Sequence, residues 1–188
     1  MYDRFFLFVE SIIGLADGER ALLRDAFRPV SLKKNGYLVE AGQRCTEVAF
    51  MVSGKLRVFH FDGANEVTCY FAMAGSFITS FPSFIRNKPS NEYIQAVEDS
   101  VLLVVHRDEL ERITLLIPQL QLFRRILTEE QYIAAEKRIE MLQTKSGQER
   151  YDLMMRYYPE VILSFPLQHI ASYLGITPQH LSRLRKNR

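Results

Sequence analysis

The chain has 188 residues with a net charge of +2, 47% hydrophobic and 24% charged side chains. That composition fits a soluble globular protein of one large or two small domains and excludes a low-complexity or fibrous chain. Charges interrupt every apolar stretch before the roughly 20 residues that a membrane span requires. Two cysteines, Cys45 and Cys69, are too few for a four-thiolate iron–sulfur or zinc site, and the four histidines lack metal-ligand spacing. No metal or cofactor is expected. The N-terminus lacks the basic region and cleavage site of a signal peptide, so a cytoplasmic protein is expected, with two reduced thiols favoured over a disulfide.

Residues 1 to 27 read as two short helices, with Phe5, Phe8, Ile12 and Leu15 at spacings of three and four and a break near Gly14. From 28 to 106 short β-branched and aromatic runs alternate with turn signals such as Asn35-Gly36, Ser53-Gly54 and Asp62-Gly63. This pattern predicts an antiparallel sandwich or barrel, with one hairpin turning through Asp62-Gly63. From Asp108 the pattern is helical again. Pro118 suits the first turn of a long helix of about six turns. Leu120, Leu127, Ala134 and Met141 recur every seven residues along it, with Phe123 alongside. Such a seam fits either a dimer interface or packing against the chain's own strands. Lys145-Ser146-Gly147 reads as a hinge, and 149–158 as a short helix stopped by Pro159.

The segment 165–186 reads as a helix-turn-helix. Leu167, Ile170, Ala171 and Leu174 form a buried stripe, Gly175 suits a left-handed helix end, and Thr177-Pro178 is an N-cap followed by a first-turn proline. Leu181 and Leu184 bury one side of the second helix. Gln179, His180, Ser182, Arg183, Lys186 and Asn187 are left on polar faces. From Ile176 onward there are four basic residues, Arg183, Arg185, Lys186 and Arg188, and no acidic one. Gln can pair with adenine and Arg with guanine through two hydrogen bonds each.

In this order the motifs Leu38-Val39-Glu40-Ala41-Gly42, Phe50-Met51-Val52-Ser53-Gly54-Lys55-Leu56-Arg57-Val58, Ala74-Gly75-Ser76-Phe77 and Ala96-Val97-Glu98-Asp99-Ser100, followed by the helix-turn-helix, resemble the Crp/Fnr superfamily of transcription regulators. The resemblance spans essentially the whole chain. It implies an α+β fold: an antiparallel β-roll (double-stranded β-helix) sensor domain with N-terminal helices over 1–117, a dimerisation helix over 118–145, and a DNA-binding domain over 146–188. It also implies a homodimer on a near-palindromic double-stranded DNA site, with RNA polymerase as a further partner and no enzymatic activity. By family position Pro178, Gln179 and Arg183 fall at base contacts, and Gln168, Thr177 and His180 at phosphate contacts. Pro178 offers no donor, so specificity is expected from Gln179 and Arg183, with Ser182 and Lys186 secondary. The dimer seam falls to Leu120, Phe123, Leu127, Ala134 and Met141. The chain stops at Arg188, without the hairpin wing found in many relatives.

The ligand pocket implied by the resemblance lacks its usual charges. Ser80 stands where relatives hold a ribose with glutamate, and the phosphate-binding arginine position falls near Ser90, with Glu92 close by to repel a phosphate. Arg86 and Lys88 would substitute only in another loop register. No tight cyclic-AMP binding is expected. Phe77, Thr79, Ser80, Ser90 and Asn91 would line a pocket for an unknown small effector, or the pocket is filled by side chains. Two other readings remain: a ligand-binding β-roll with vestigial DNA binding, and a cupin-like metal enzyme, for which the clustered ligands are missing.

Overall fold

A computed structural model describes residues 1–186; Asn187 and Arg188 of the polar C-terminal face lie outside the described residues. Two helices open the chain, α1 (Tyr2–Glu10) and α2 (Asp17–Ala26). Eight strands follow: β1 (Arg28–Leu32), β2 (Tyr37–Val39), β3 (Glu47–Ser53), β4 (Lys55–Asp62), β5 (Asn65–Met73), β6 (Phe77–Ile78), β7 (Tyr93–Ala96) and β8 (Ser100–His106). A short helix, α3 (Phe81–Arg86), interrupts them between β6 and β7. The C-terminal part is helical: α4 (Arg107–Leu116), α5 (Gln119–Thr144), α6 (Gly147–Tyr157), α7 (Pro159–Ser164), α8 (Leu167–Leu174) and α9 (Pro178–Lys186).

The strands form two four-stranded sheets, β1-β8-β3-β6 and β2-β7-β4-β5, the antiparallel roll that the alternating strand and turn signals predict. In the first sheet β8 lies between β1 and β3, with Val30 opposite Leu102 and Phe50 opposite Leu103. Both inward faces of β3 and β8 are buried, which explains their unbroken apolar runs. Pro29 is tolerated because β1 is an edge strand. The turn from β3 to β4 requires its glycine: Gly54 has φ +92°, and a Cβ there would lie 2.2 Å from the Ser100 hydroxyl oxygen.

The chain divides into two compact units, one of residues 1–58 and 71–128 and one of residues 59–70 and 129–188. The first is built around an aromatic cluster. Phe5 of α1 and Phe50 of β3 are buried, with ring centres 5.4 Å apart, and Phe77 lies 5.1 Å from Phe50 and 5.6 Å from Phe123. Leu120 and Phe123 are buried in this same core, and Leu127 packs against it. The first turns of α5 therefore spend their apolar stripe inside their own unit.

The second unit joins the tip of the β4–β5 hairpin to the C-terminal half of α5 and to α6–α9. Its core includes Tyr151, Met154, Ile162, Phe165, Ile170, Ala171, Leu174, Leu181 and Leu184. Pro159 both ends α6 and starts α7, a six-residue helix that the sequence reading left as the stop after α6. No helix among the described residues is long and apolar enough to cross a membrane.

Candidate nucleic-acid interface and ligand pocket

α8 and α9 are built as the sequence chemistry predicts. Ile170, Ala171 and Leu174 of α8, and Leu181 of α9, are fully buried. Gly175 ends α8 in the left-handed conformation, φ +65°, with its N–H donated to the Ser172 carbonyl at 3.1 Å. Ile176 donates to the Ala171 carbonyl at 3.0 Å, turning the chain sharply. The Thr177 hydroxyl then accepts the His180 N–H at 3.1 Å, and Pro178 opens α9. Two short helices are thereby fixed across a three-residue turn.

The polar residues of this pair are distributed unevenly. Gln168, Thr177, Gln179, Arg183 and Lys186 are exposed, and Ser182 is half-buried. His180 is also half-buried: a Cβ at Gly147 would lie 3.1 Å from its Cε1 and 2.9 Å from Ile176 Cγ2, so both side chains press on the first turn of α6. Arg185 donates to the Ile162 carbonyl at 2.9 Å, tying α9 to α7. Among the described basic residues of this end, Arg185 is thus a tether, while Arg183 and Lys186 face solvent.

α8 is held from behind by the hairpin tip and α5. The Ser172 hydroxyl accepts the Thr68 N–H at 2.9 Å and donates to the Glu66 carbonyl at 2.8 Å. Arg138 of α5 donates to the carbonyls of Thr68 at 2.9 Å and Tyr173 at 3.4 Å, and its guanidinium lies 4.6 Å from the centre of the Tyr173 ring. Burial pushes the Tyr173 phenol up, so it stays neutral. These contacts join residues far apart in the chain, and no spacing in the sequence points to them.

The pocket residues come together only in part. Ser80 and Ser90 are buried with their hydroxyl oxygens 2.9 Å apart. Glu92 closes the group: its carboxylate accepts from the Ser80 hydroxyl at 2.7 Å, its N–H donates to the Ser90 oxygen at 2.9 Å, and its carbonyl accepts from Ser90 at 3.0 Å. Thr79 bonds elsewhere, donating to the Glu47 carbonyl at 2.9 Å and lying 3.2 Å from Cys45 Sγ. Phe77 belongs to the aromatic core, and Asn91 is exposed.

Cys45 and Cys69 are not joined in a disulfide. His60 Nδ1 lies 3.2 Å from Cys69 Sγ, while His106 caps α4 by accepting the Asp108 N–H at 3.3 Å. Among the described residues no three His, Cys, Asp or Glu side chains gather as a metal site.

Residues 29–115, the roll, match the family described as cyclic nucleotide-binding domain. Beyond the roll, the long helix and the closing helix pair complete the fold of the Crp/Fnr regulators, as solved structures show. One similar structure is a CooA mutant from Carboxydothermus hydrogenoformans, 20% identical, with a TM-score of 0.73 over 89% of this chain and 78% of that one. Another is FixK2 from Bradyrhizobium japonicum, 17% identical, with a TM-score of 0.74 over 86% and 83%. A third, described as a transcriptional regulator of the crp/fnr family from Eubacterium rectale, is 17% identical, with a TM-score of 0.69 over 92% and 83%. At these identities the likeness is one of fold. No curated protein sequence matches the chain.

Proposed function

We propose that this protein is a homodimeric, sequence-specific DNA-binding transcription regulator of the Crp/Fnr type, acting in the cytoplasm and without enzymatic activity. The observation that carries this reading is the α8–α9 pair, whose second helix is capped by Thr177 and presents Gln179 and Arg183 to solvent. In helix-turn-helix readers the second helix lies in the major groove with its N-terminal residues at the base edges. Gln179 and Arg183 then read bases, Gln168, Thr177 and Lys186 meet phosphates, and Ser182 supports them. His180 is held against α6 and contributes mainly by packing. RNA polymerase is the partner that such a regulator would address.

Cyclic AMP is not its signal in this reading. Glu92 already accepts the Ser80 hydroxyl that would face a ligand, and a second anion beside that carboxylate would be repelled. An effector, if the roll takes one, is uncharged at this end.

The experiment is selection of bound fragments from genomic DNA. A two-fold symmetric site with salt-dependent affinity is expected. Arg183→Ala should weaken binding to that site by about 1–3 kcal/mol per half-site while leaving the fold intact. Failure of the wild-type chain to prefer any sequence would sink the reading and leave a ligand-binding roll. Titration calorimetry with cyclic AMP should give no binding heat.

A further inference from the structure

We propose that Arg150 is a positioning residue that locks α8, and with it the reading helix α9, to the C-terminal end of α5. The inference rests on the reading of α8–α9 as the DNA-contacting pair, and it assigns the residue that fixes their direction.

One guanidinium serves three carbonyls. Arg150 Nε donates to Lys145 at 2.9 Å, Nη1 to Leu174 at 2.8 Å and Nη2 to Leu142 at 3.1 Å. Leu142 lies in the last turn of α5, Lys145 just beyond it, and Leu174 is the last residue of α8. Carbonyls at helix ends lack partners within the helix and carry the negative pole of the helix dipole. A permanently charged side chain with a rigid fork of donors can satisfy two such ends at once. The turn is shaped to admit it. Gly175 needs its positive φ, and a Cβ there would lie 3.0 Å from Arg150 Nη1 and 3.4 Å from Leu142 Cδ2.

The lock has a second layer. Ser172, Tyr173 and Leu174 are consecutive, and each is held from a different element: the β4–β5 hairpin, Arg138 of α5, and Arg150 of α6. Across the helix break between α5 and α6, the Ser146 hydroxyl caps α6, and Gly147 is packed under Ile176 and His180. Residues 145–147 are therefore bridged, and this stretch is no free swivel. The hinge expected there from the sequence is a helix break fastened by Arg150. The hairpin tip, the second half of α5 and the helix pair then move as one body.

A dimer whose reading helices are fixed to α5 accepts one half-site spacing, because the distance between the two helices is set by the protein. The full chain is tested on a DNA site selected by the wild type and on versions with the central spacer lengthened or shortened. Arg150→Met, which keeps the aliphatic stem and loses the donors, should retain half-site preference and lose about tenfold of its discrimination between spacings, as expected for a lost charged hydrogen bond. Loss of stability alone would weaken all spacings together. Arg150→Lys, which keeps the charge, should recover part of the discrimination and serves where the methionine variant fails to fold.

Hydrogen exchange without DNA gives an independent arm. Amides of 142–150 and 172–177 should exchange about tenfold faster in Arg150→Met, while those of 151–165 stay unchanged. Wild-type spacing discrimination together with wild-type exchange in both variants would overturn the proposal. If the wild-type chain selects no DNA site, the DNA reading fails, and the exchange arm still decides whether the lock exists.

Discussion

Glu92 shows what a single side chain does to a pocket. Ser80 and Ser90 stand in the sequence as two neutral groups with no stated partner, and Glu92 as a charge that would oppose a phosphate. The structure makes them one hydrogen-bonded group, with the carboxylate accepting a hydrogen bond from the Ser80 hydroxyl. Removal of that acceptor takes the charged partner from the Ser80 hydroxyl, which is 1% exposed, while Ser90 keeps its bonds to the Glu92 backbone. Glu92→Ala should therefore destabilise the protein by about 1–3 kcal/mol in chemical denaturation. Glu92→Gln keeps an acceptor oxygen and should cost less. Equal losses in the two variants would show that the hydrogen bond contributes nothing. The family resemblance, and no spacing, set Ser80 and Ser90 at a common pocket, and their hydroxyl oxygens lie 2.9 Å apart. The resemblance did not place Thr79, which bonds the Glu47 carbonyl while its neighbour Ser80 bonds Glu92. Both residues lie between β6 and α3, outside any strand, so no periodicity fixes which way each side chain points.

At the scale of elements, local chemistry decided most of what could be read. Gly175, Thr177 and Pro178 each stabilise one backbone conformation, so the turn between α8 and α9 was legible. The start of α6 follows the same logic and has a pH signature. Ser146 N–H donates to the Glu149 carboxylate at 2.7 Å, and the Ser146 hydroxyl accepts the Glu149 N–H at 3.3 Å. The bond from the Ser146 N–H, the bond with the Ser146 side chain and the charge of Lys145 hold the Glu149 carboxyl below its ordinary 4.5. A lowered folded value means that this contribution is present above 4.5 and is lost as the pH falls through the folded value. The melting temperature of wild type should exceed that of Glu149→Gln near neutral pH, and the gap should shrink as the pH falls below 4.5 and through the lowered folded value. A gap that widens in acid would refute the assignment. α3 and α7 escaped the sequence reading for a physical reason. Each is six residues long, less than two turns, and too short for an apolar period to repeat.

At the scale of the molecule the heptad along α5 is the instructive element. Leu120, Phe123, Leu127, Ala134 and Met141 share one stripe, and spacing alone does not say whether a roll or a second chain covers it. In the structure Leu120 and Phe123 are core residues and Leu127 packs against that core, whereas Ala134 is exposed and Met141 half-buried. The first part of the stripe is thus committed within the protomer. Another stripe is left over: Leu122 and Ile133 are exposed and Ile126 half-buried, at spacings of four and seven. A pair of α5 helices meeting along it would cover apolar surface that a lone protomer leaves in water. Ile133 is 45% exposed, so Ile133→Glu should leave the protomer folded while placing two carboxylates at the shared face. Light scattering should give the wild type twice the chain mass of 21.9 kDa and the variant a single chain mass. The variant should also lose affinity for a two-fold site, while each reading helix keeps its preference for a half-site. If Ile133→Glu stays dimeric, the seam lies elsewhere on α5. If wild type is itself a monomer at working concentrations, two linked reading heads are ruled out and a single half-site is all the chain can hold.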